Sequence, residues 1–146
     1  MKKGKFRKAV FIVTYKREKE TILYLLLKRK LHWVGWEFPK GGIEKSETPL
    51  QAVIRELKEE TSLCPKKIES YNLKGGYDYS ERYPDRKGFT GQSWQLFSAQ
   101  VQGTKVKLDR EEHSVYKWLK FKQALKLLTW QNQKECLRIV NKSLKQ

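Results

Sequence analysis

Residues 41–63 read GGIEKSETPLQAVIRELKEETSL. They hold five glutamates and three basic residues, Lys45, Arg55 and Lys58. The whole chain carries 32 Lys and Arg against 16 Asp and Glu, a formal charge of +16. An acidic island in so basic a chain needs a physical reason. Its second half reads as a helix. Thr48 suits the N-cap, Pro49 the first helical position, and Gln51 completes a capping box. Leu50, Val53, Ile54 and Leu57 recur at helical spacing and are expected to pack into a core. Glu56, Glu59 and Glu60 stand at i, i+3 and i+4, so they share an adjoining face. Like charges so placed weaken an isolated helix by roughly 0.2–0.5 kcal/mol per pair. A hard divalent cation offsets that repulsion, because Mg²⁺ and Mn²⁺ prefer carboxylate oxygens. A solvated face partnered by Arg55 and Lys58 is the other reading of the bare run.

The flanking sequence sets the context. At 146 residues, 38% of them hydrophobic and 33% charged, the chain suits one globular domain spanning 1–146. The longest apolar run, 22–27, is strand-sized, far short of the roughly 20 residues of a membrane helix. The opening MKKGKFRKAVFIV is basic, then apolar, but offers no small-residue cleavage site, so it reads as a first strand. Cys64 and Cys136 belong to no CxxC or Cys/His cluster. Reduced thiols in a cytoplasmic protein are the expectation, with a single pairing left open. A pI near 9.9 implies attraction to polyanions, or only a lysine-rich composition.

Residues 6–15 and 21–28 are β-branched and aliphatic and read as a hairpin joined by 16–20. Residues 31–40 read as an aromatic-rich loop punctuated by Gly35 and Pro39. Strands are expected at 68–79, 93–101 and 114–118, with a polar loop over 80–92. Helices are expected at 121–128 and 132–144. The alternation gives an α/β or α+β fold with a mixed sheet.

Gly41, five residues, Glu47, seven residues, then Arg55-Glu56-Leu57-x-Glu59-Glu60-x-x-Leu63 resembles the Nudix box, the signature of the Nudix hydrolases. One fixed position departs from it. Ser62 stands where the family has glycine, a position following a helix end where a left-handed backbone is common. The resemblance implies an α/β/α sandwich around a mixed sheet. It also implies hydrolysis of nucleoside diphosphates linked to another group, with Mg²⁺ or Mn²⁺ as cofactor. Carried over residue by residue, Glu56, Glu59 and Glu60 would hold the metal. Glu47 would pair with Arg55, and the carbonyl of Lys40 would add a ligand. A further glutamate before the strand ending at Trp118 is expected to join them. Glu112 is the choice and Glu111 its competitor. His113 reads as a loop or packing residue.

Three more segments resemble one branch of that family, the dinucleoside tetraphosphate hydrolases and RNA 5′-pyrophosphohydrolases. They are WEFPKGGI from Trp36, GQSWQLF from Gly91 and WLKFKQALKLLTWQNQ from Trp118. Lys40 and Gln92 within them are candidate substrate contacts. So are Tyr77, Arg82, Tyr83 and Arg86, in the stretch YDYSERYPDR, with tyrosines for base stacking and arginines for phosphate. Tyr77 and Tyr79 could instead be one packed strand face. The resemblance leads to asymmetric cleavage of diadenosine tetraphosphate into ATP and AMP. Removal of pyrophosphate from triphosphorylated RNA, or decapping-like action on an RNA 5′ end, is the alternative, which the charge favours. A silent nucleotide- or RNA-binding module stands third. A monomer is expected, with a dimer left open, and no membrane partner.

Overall fold

The computed structural model describes residues 5–79, 88–103 and 105–145. Its centre is β1 (Lys5–Glu18), apolar on both faces. It pairs antiparallel with β2 (Thr21–Arg29), and the register Glu18↔Thr21 leaves a two-residue turn at Lys19 and Glu20. The expected connector 16–20 is therefore mostly strand. Lys16 belongs to it because its ammonium sits 4.5 Å from the ring centre of Trp118 and 3.0 Å from Glu18.

The aromatic stretch 31–40 is also not all loop. It contains β3 (Gly35–Glu37) on β2, and ends at β4 (Lys40–Gly42) on β1. Three-residue strands are too short to leave a period-two pattern. Next come α1 (Pro49–Thr61), β5 (Pro65–Asp78), β6 (Phe89–Val101), β7 (His113–Leu119), α2 (Phe121–Leu127) and α3 (Gln131–Leu144). The strand β6 starts four residues earlier than its sequence suggests, because it stays paired with β1 as far as Lys5↔Phe89. The β1–β6 pair is parallel and the other pairs are antiparallel, so the sheet is mixed, in the order β3-β2-β1-β6-β5 with β4 on β1 and β7 on β2.

Alternation along β1 divides the core. Ala9, Phe11, Val13 and Tyr15 pack with Ala124, Leu128, Cys136, Leu137 and Val140 from the C-terminal helices. Val10 and Ile12 pack with Ala52, Val53 and Leu57 of α1 on the other face. That is the expected sandwich. Among the described residues no helix is long and apolar enough to cross a membrane.

The start of α1 follows its local chemistry. Thr48 Oγ1 accepts from the Gln51 N–H at 3.1 Å, and Gln51 Oε1 accepts from the Thr48 N–H at 2.9 Å. Its buried stripe is not the one expected. Leu50 and Ile54 remain 50% and 45% exposed, while Ala52, Val53, Leu57, Glu60 and Thr61 are buried. The helix is rotated so that Glu60 enters the interior, where a backbone donor meets it.

The helix ends at Ser62, with φ 65° and ψ 15°, its N–H donating to the Lys58 carbonyl at 2.8 Å. This is the left-handed conformation that the family's glycine adopts without a Cβ penalty. Ser62→Gly is expected to stabilise the fold by about 1 kcal/mol. Urea unfolding measures it, and an unchanged midpoint would contradict the strain argument.

Candidate metal and active site

Strand β4 runs beside α1, and glycine makes this possible. A Cβ on Gly41 would lie 2.0 Å from Glu56 Cδ, so the Glu56 carboxyl rests directly on the Gly41 backbone. Arg55 fixes the surrounding loop. Its Nε and Nη2 donate to the two oxygens of Glu47 at 2.7 and 2.9 Å, a bidentate pair. Nη2 also donates to the Gly42 carbonyl at 2.7 Å. Nη1 donates to Glu56 at 2.9 Å and Glu59 at 3.2 Å. One guanidinium thus joins the loop, β4 and the helix. Its hydrogen bonds are the main reason Glu47 is held down at about 2.

Glu60 is buried, and its Oε1 accepts the Lys40 N–H at 3.0 Å. Its Oε2 has no hydrogen-bond partner among the described residues. Glu112 comes from a separate segment, just ahead of β7. Its carbonyl accepts the Lys30 N–H at 2.8 Å, which anchors it to the end of β2. Donor atoms of Glu60, Glu112 and His113 all lie within 4.8 Å of one another. Glu111 is exposed and its N–H donates to Asp109 Oδ1 at 3.0 Å, so the register favours Glu112. Glu59, by contrast, is 57% exposed at the rim and turned to Arg55.

The crowding is visible in the acidities. Burial pushes Glu56 up to about 7, against the opposing pull of Arg55 and with Glu59 and Glu112 adding to the rise. Burial also raises Glu60, reinforced by Glu112, Glu56 and Glu37.

Beneath these carboxylates lies a buried layer that sequence reading missed. Glu37 is wholly buried; its Oε2 accepts from Arg29 Nη1 at 3.0 Å and lies 2.8 Å from His113 Nε2. Lys40 Nζ is 3.7 Å from Glu37 Oε1. Burial alone would raise Glu37, but Lys40, His113 and Arg29 outweigh it and hold it at about 2. His113 is not in a loop: it opens β7 and packs fully buried between Glu37 and Glu60. Lys40 is also not a solvated loop cation, because its side chain is buried above Glu37.

Among the described residues, the candidate substrate contacts Gln92 and Tyr77 are at least partly buried. Gln92 is buried in the sheet, its Oε1 accepting from Arg7 at 3.4 Å and from the Tyr79 hydroxyl at 3.1 Å. Tyr77 is half-buried against the core on the α2–α3 side, edge-to-face with Tyr79 at 6.2 Å. Arg82, Tyr83 and Arg86 lie outside the described residues.

Residues 5–138 match the Nudix domain family. The chain belongs to the Nudix hydrolase family. An RNA pyrophosphohydrolase of Xanthomonas campestris pv. campestris is 33% identical over 104 residues, 64% of this chain and 51% of the relative. The chain spans about half the length of the curated relatives it matches. A binary complex of the C. elegans Ap4A hydrolase superposes with TM-score 0.76 at 26% identity, covering 95% of this chain and 98% of that one. The Nudix domain of Shewanella oneidensis NrtR, complexed with ADP ribose, shares the fold at TM-score 0.76 and 20% identity, with 97% and 90% coverage.

The Nudix site fits a divalent cation on its own terms. It offers carboxylate oxygens, one of them buried and unpartnered, and two carboxyls whose burial and mutual repulsion resist ionisation. Without a cation, Glu56 binds a proton more tightly folded than unfolded. Its contribution to stability is full below its ordinary 4.5 and is lost as pH rises through about 7. A cation replaces that proton. Saturating Mg²⁺ is therefore expected to raise the melting temperature more at pH 8 than at pH 6, read by thermal unfolding against a chelator control. Equal gains at both would contradict the carboxylate assignment.

Proposed function

We propose that this chain is a metal-dependent pyrophosphohydrolase that splits diadenosine tetraphosphate asymmetrically into ATP and AMP. The observation that carries the reaction class is the meeting of Glu60 from α1 with Glu112 just ahead of β7, their donor atoms within 4.8 Å, with Glu56 near enough to repel both carboxylates. These residues would hold Mg²⁺ or Mn²⁺, with Glu59 at the rim and the Lys40 backbone beside Glu60. When bound, a divalent cation offsets charge on phosphate oxygens and acidifies water.

The protein supplies the rest. Arg55 and Gly41 fix the Glu56 carboxyl, and the Lys40 N–H fixes Glu60. Glu112 is 34% exposed and reached by Arg29 at 3.8 Å, beyond hydrogen-bond range, so it is the base least locked by a partner. It takes the proton of the attacking water. Water adds across one phosphoanhydride, with ATP leaving from AMP.

The dinucleotide is supported by the likeness to the Ap4A hydrolase, which runs nearly end to end in both chains. The link between α2 and α3 is also joined to the aromatic stretch 31–40. Thr129 Oγ1 accepts the Trp36 N–H at 2.8 Å, and Trp33 meets Trp130 edge-to-face at 5.2 Å. The second reading is removal of pyrophosphate from the 5′ end of RNA. It draws on the charge of +16 and on relatives named for that activity.

A paired assay separates the two. Diadenosine tetraphosphate and a short 5′-triphosphorylated RNA are supplied separately with Mg²⁺ at matched low salt, and products are resolved by chromatography. Faster formation of ATP and AMP is expected. Faster pyrophosphate release from the RNA would replace the first reading with the second.

A further inference from the structure

Under the metal centre, the hydrogen bonds of His113 fix what its ring can do. Glu37 is paired with Arg29 at 3.0 Å and with Lys40 at 3.7 Å, so it is an ionised carboxylate that only accepts. His113 Nε2, 2.8 Å from Glu37 Oε2, must then be the ring's N–H. In the neutral ring this leaves a lone pair on Nδ1. That atom is fully buried and 3.5 Å from Glu60 Oε2. Among the described residues neither Nδ1 nor Glu60 Oε2 has a hydrogen-bond partner. Two buried, unpartnered polar atoms this close share a cation, either a proton on the carboxyl or a metal ion that replaces it.

We propose that His113 Nδ1 is a nitrogen ligand of the metal centre, making it a mixed carboxylate–imidazole site that favours a first-row transition ion such as Mn²⁺ over Mg²⁺. The proposal rests on the metal-dependent reading above. Donors bound at about 2.1 Å to an octahedral ion lie roughly 3.0 Å apart when adjacent and roughly 4.2 Å when opposite. The Nδ1–Oε2 separation of 3.5 Å falls between these, and the Glu112 oxygen completes a set spanning no more than 4.8 Å. Imidazole suits transition ions, whereas Mg²⁺ favours oxygen and water. The Glu37–His113 contact then has the form by which metal-bound histidines are commonly oriented, a carboxylate on the far ring nitrogen. Any proton on Glu60 is released when the ion enters.

Electron spin-echo spectroscopy of the Mn²⁺-loaded protein tests this. The sequence has two histidines, and the other, His32, has φ 73°, which asparagine tolerates. His32→Asn protein is prepared unlabelled and with [¹⁵N]histidine. The expected result is ¹⁴N modulation from a coordinated imidazole that becomes a ¹⁵N pattern on labelling. Bound Mn²⁺ with identical spectra in both samples would overturn the histidine ligand and leave the carboxylate site standing. No bound Mn²⁺ would overturn both. In equilibrium titrations, His113→Gln should weaken Mn²⁺ by about 10–100-fold and Mg²⁺ by clearly less. Equal weakening of both ions would mean that His113 only supports the site, and would overturn the proposal.

Discussion

Glu60→Gln is expected to lower Mg²⁺-dependent hydrolysis by about 10²–10³-fold while the protein still folds. The loss follows from removing a charge that sits between Lys40 and the other carboxylates. The fold survives because the amide oxygen can still accept the Lys40 N–H, and because a neutral group is what this buried position prefers when no cation is present. The metal-free variant should therefore be at least as stable as the metal-free wild type at pH 8. Glu59→Gln should cost far less than Glu60→Gln, since Glu59 is 57% exposed and turned to Arg55. Turnover of diadenosine tetraphosphate, with thermal unfolding in parallel, measures all of this. Equal losses for the two variants would restore the picture of three equivalent glutamates on one helix face.

Glu37→Gln should have the largest effect on stability. Glu37 neutralises Arg29, and both are buried, with Lys40 and His113 around them. Removing the carboxylate leaves a guanidinium in the interior, a change of about 3–5 kcal/mol. The pH dependence carries the same signature. The folded-state value of about 2 lies below the ordinary 4.5, so this stabilisation is present above about 4.5 and is lost as pH falls through about 2. Urea unfolding at pH 7 and pH 3 should show the wild-type advantage shrinking at the lower pH. An advantage that is constant with pH would mean that packing, not charge, holds this layer.

Where chemistry is local, the sequence is an adequate guide. Thr48, Pro49 and Gln51 define a helix start within four residues, and the structure contains that capping box. The strands around the centre are readable from their β-branched and aliphatic runs, and the Glu47–Arg55 pair from the box pattern. What could not be read depends on contacts between distant segments. Glu37 and His113 are 76 positions apart, and no spacing rule joins them. Glu37 had one signal, an acid inside an otherwise aromatic and glycine-rich run; His113 had one, a polar residue directly before a strand. Val53 and Leu57 are buried while Leu50 and Ile54 are not, and the buried face includes Glu60, which accepts the Lys40 N–H. A hydrophobic pattern has no means of showing that a glutamate will win a core position. Gln92 was legible as part of a motif, but not as a group already engaged with Arg7 and Tyr79.

The central claim is that Glu56, Glu60 and Glu112 together form a divalent-cation site at which a phosphoanhydride is cut. Anomalous diffraction from a Mn²⁺-soaked crystal tests it most directly. A manganese peak bounded by Glu56, Glu60 and Glu112 is the predicted result. A peak elsewhere, or none at a concentration that supports hydrolysis, would contradict the account.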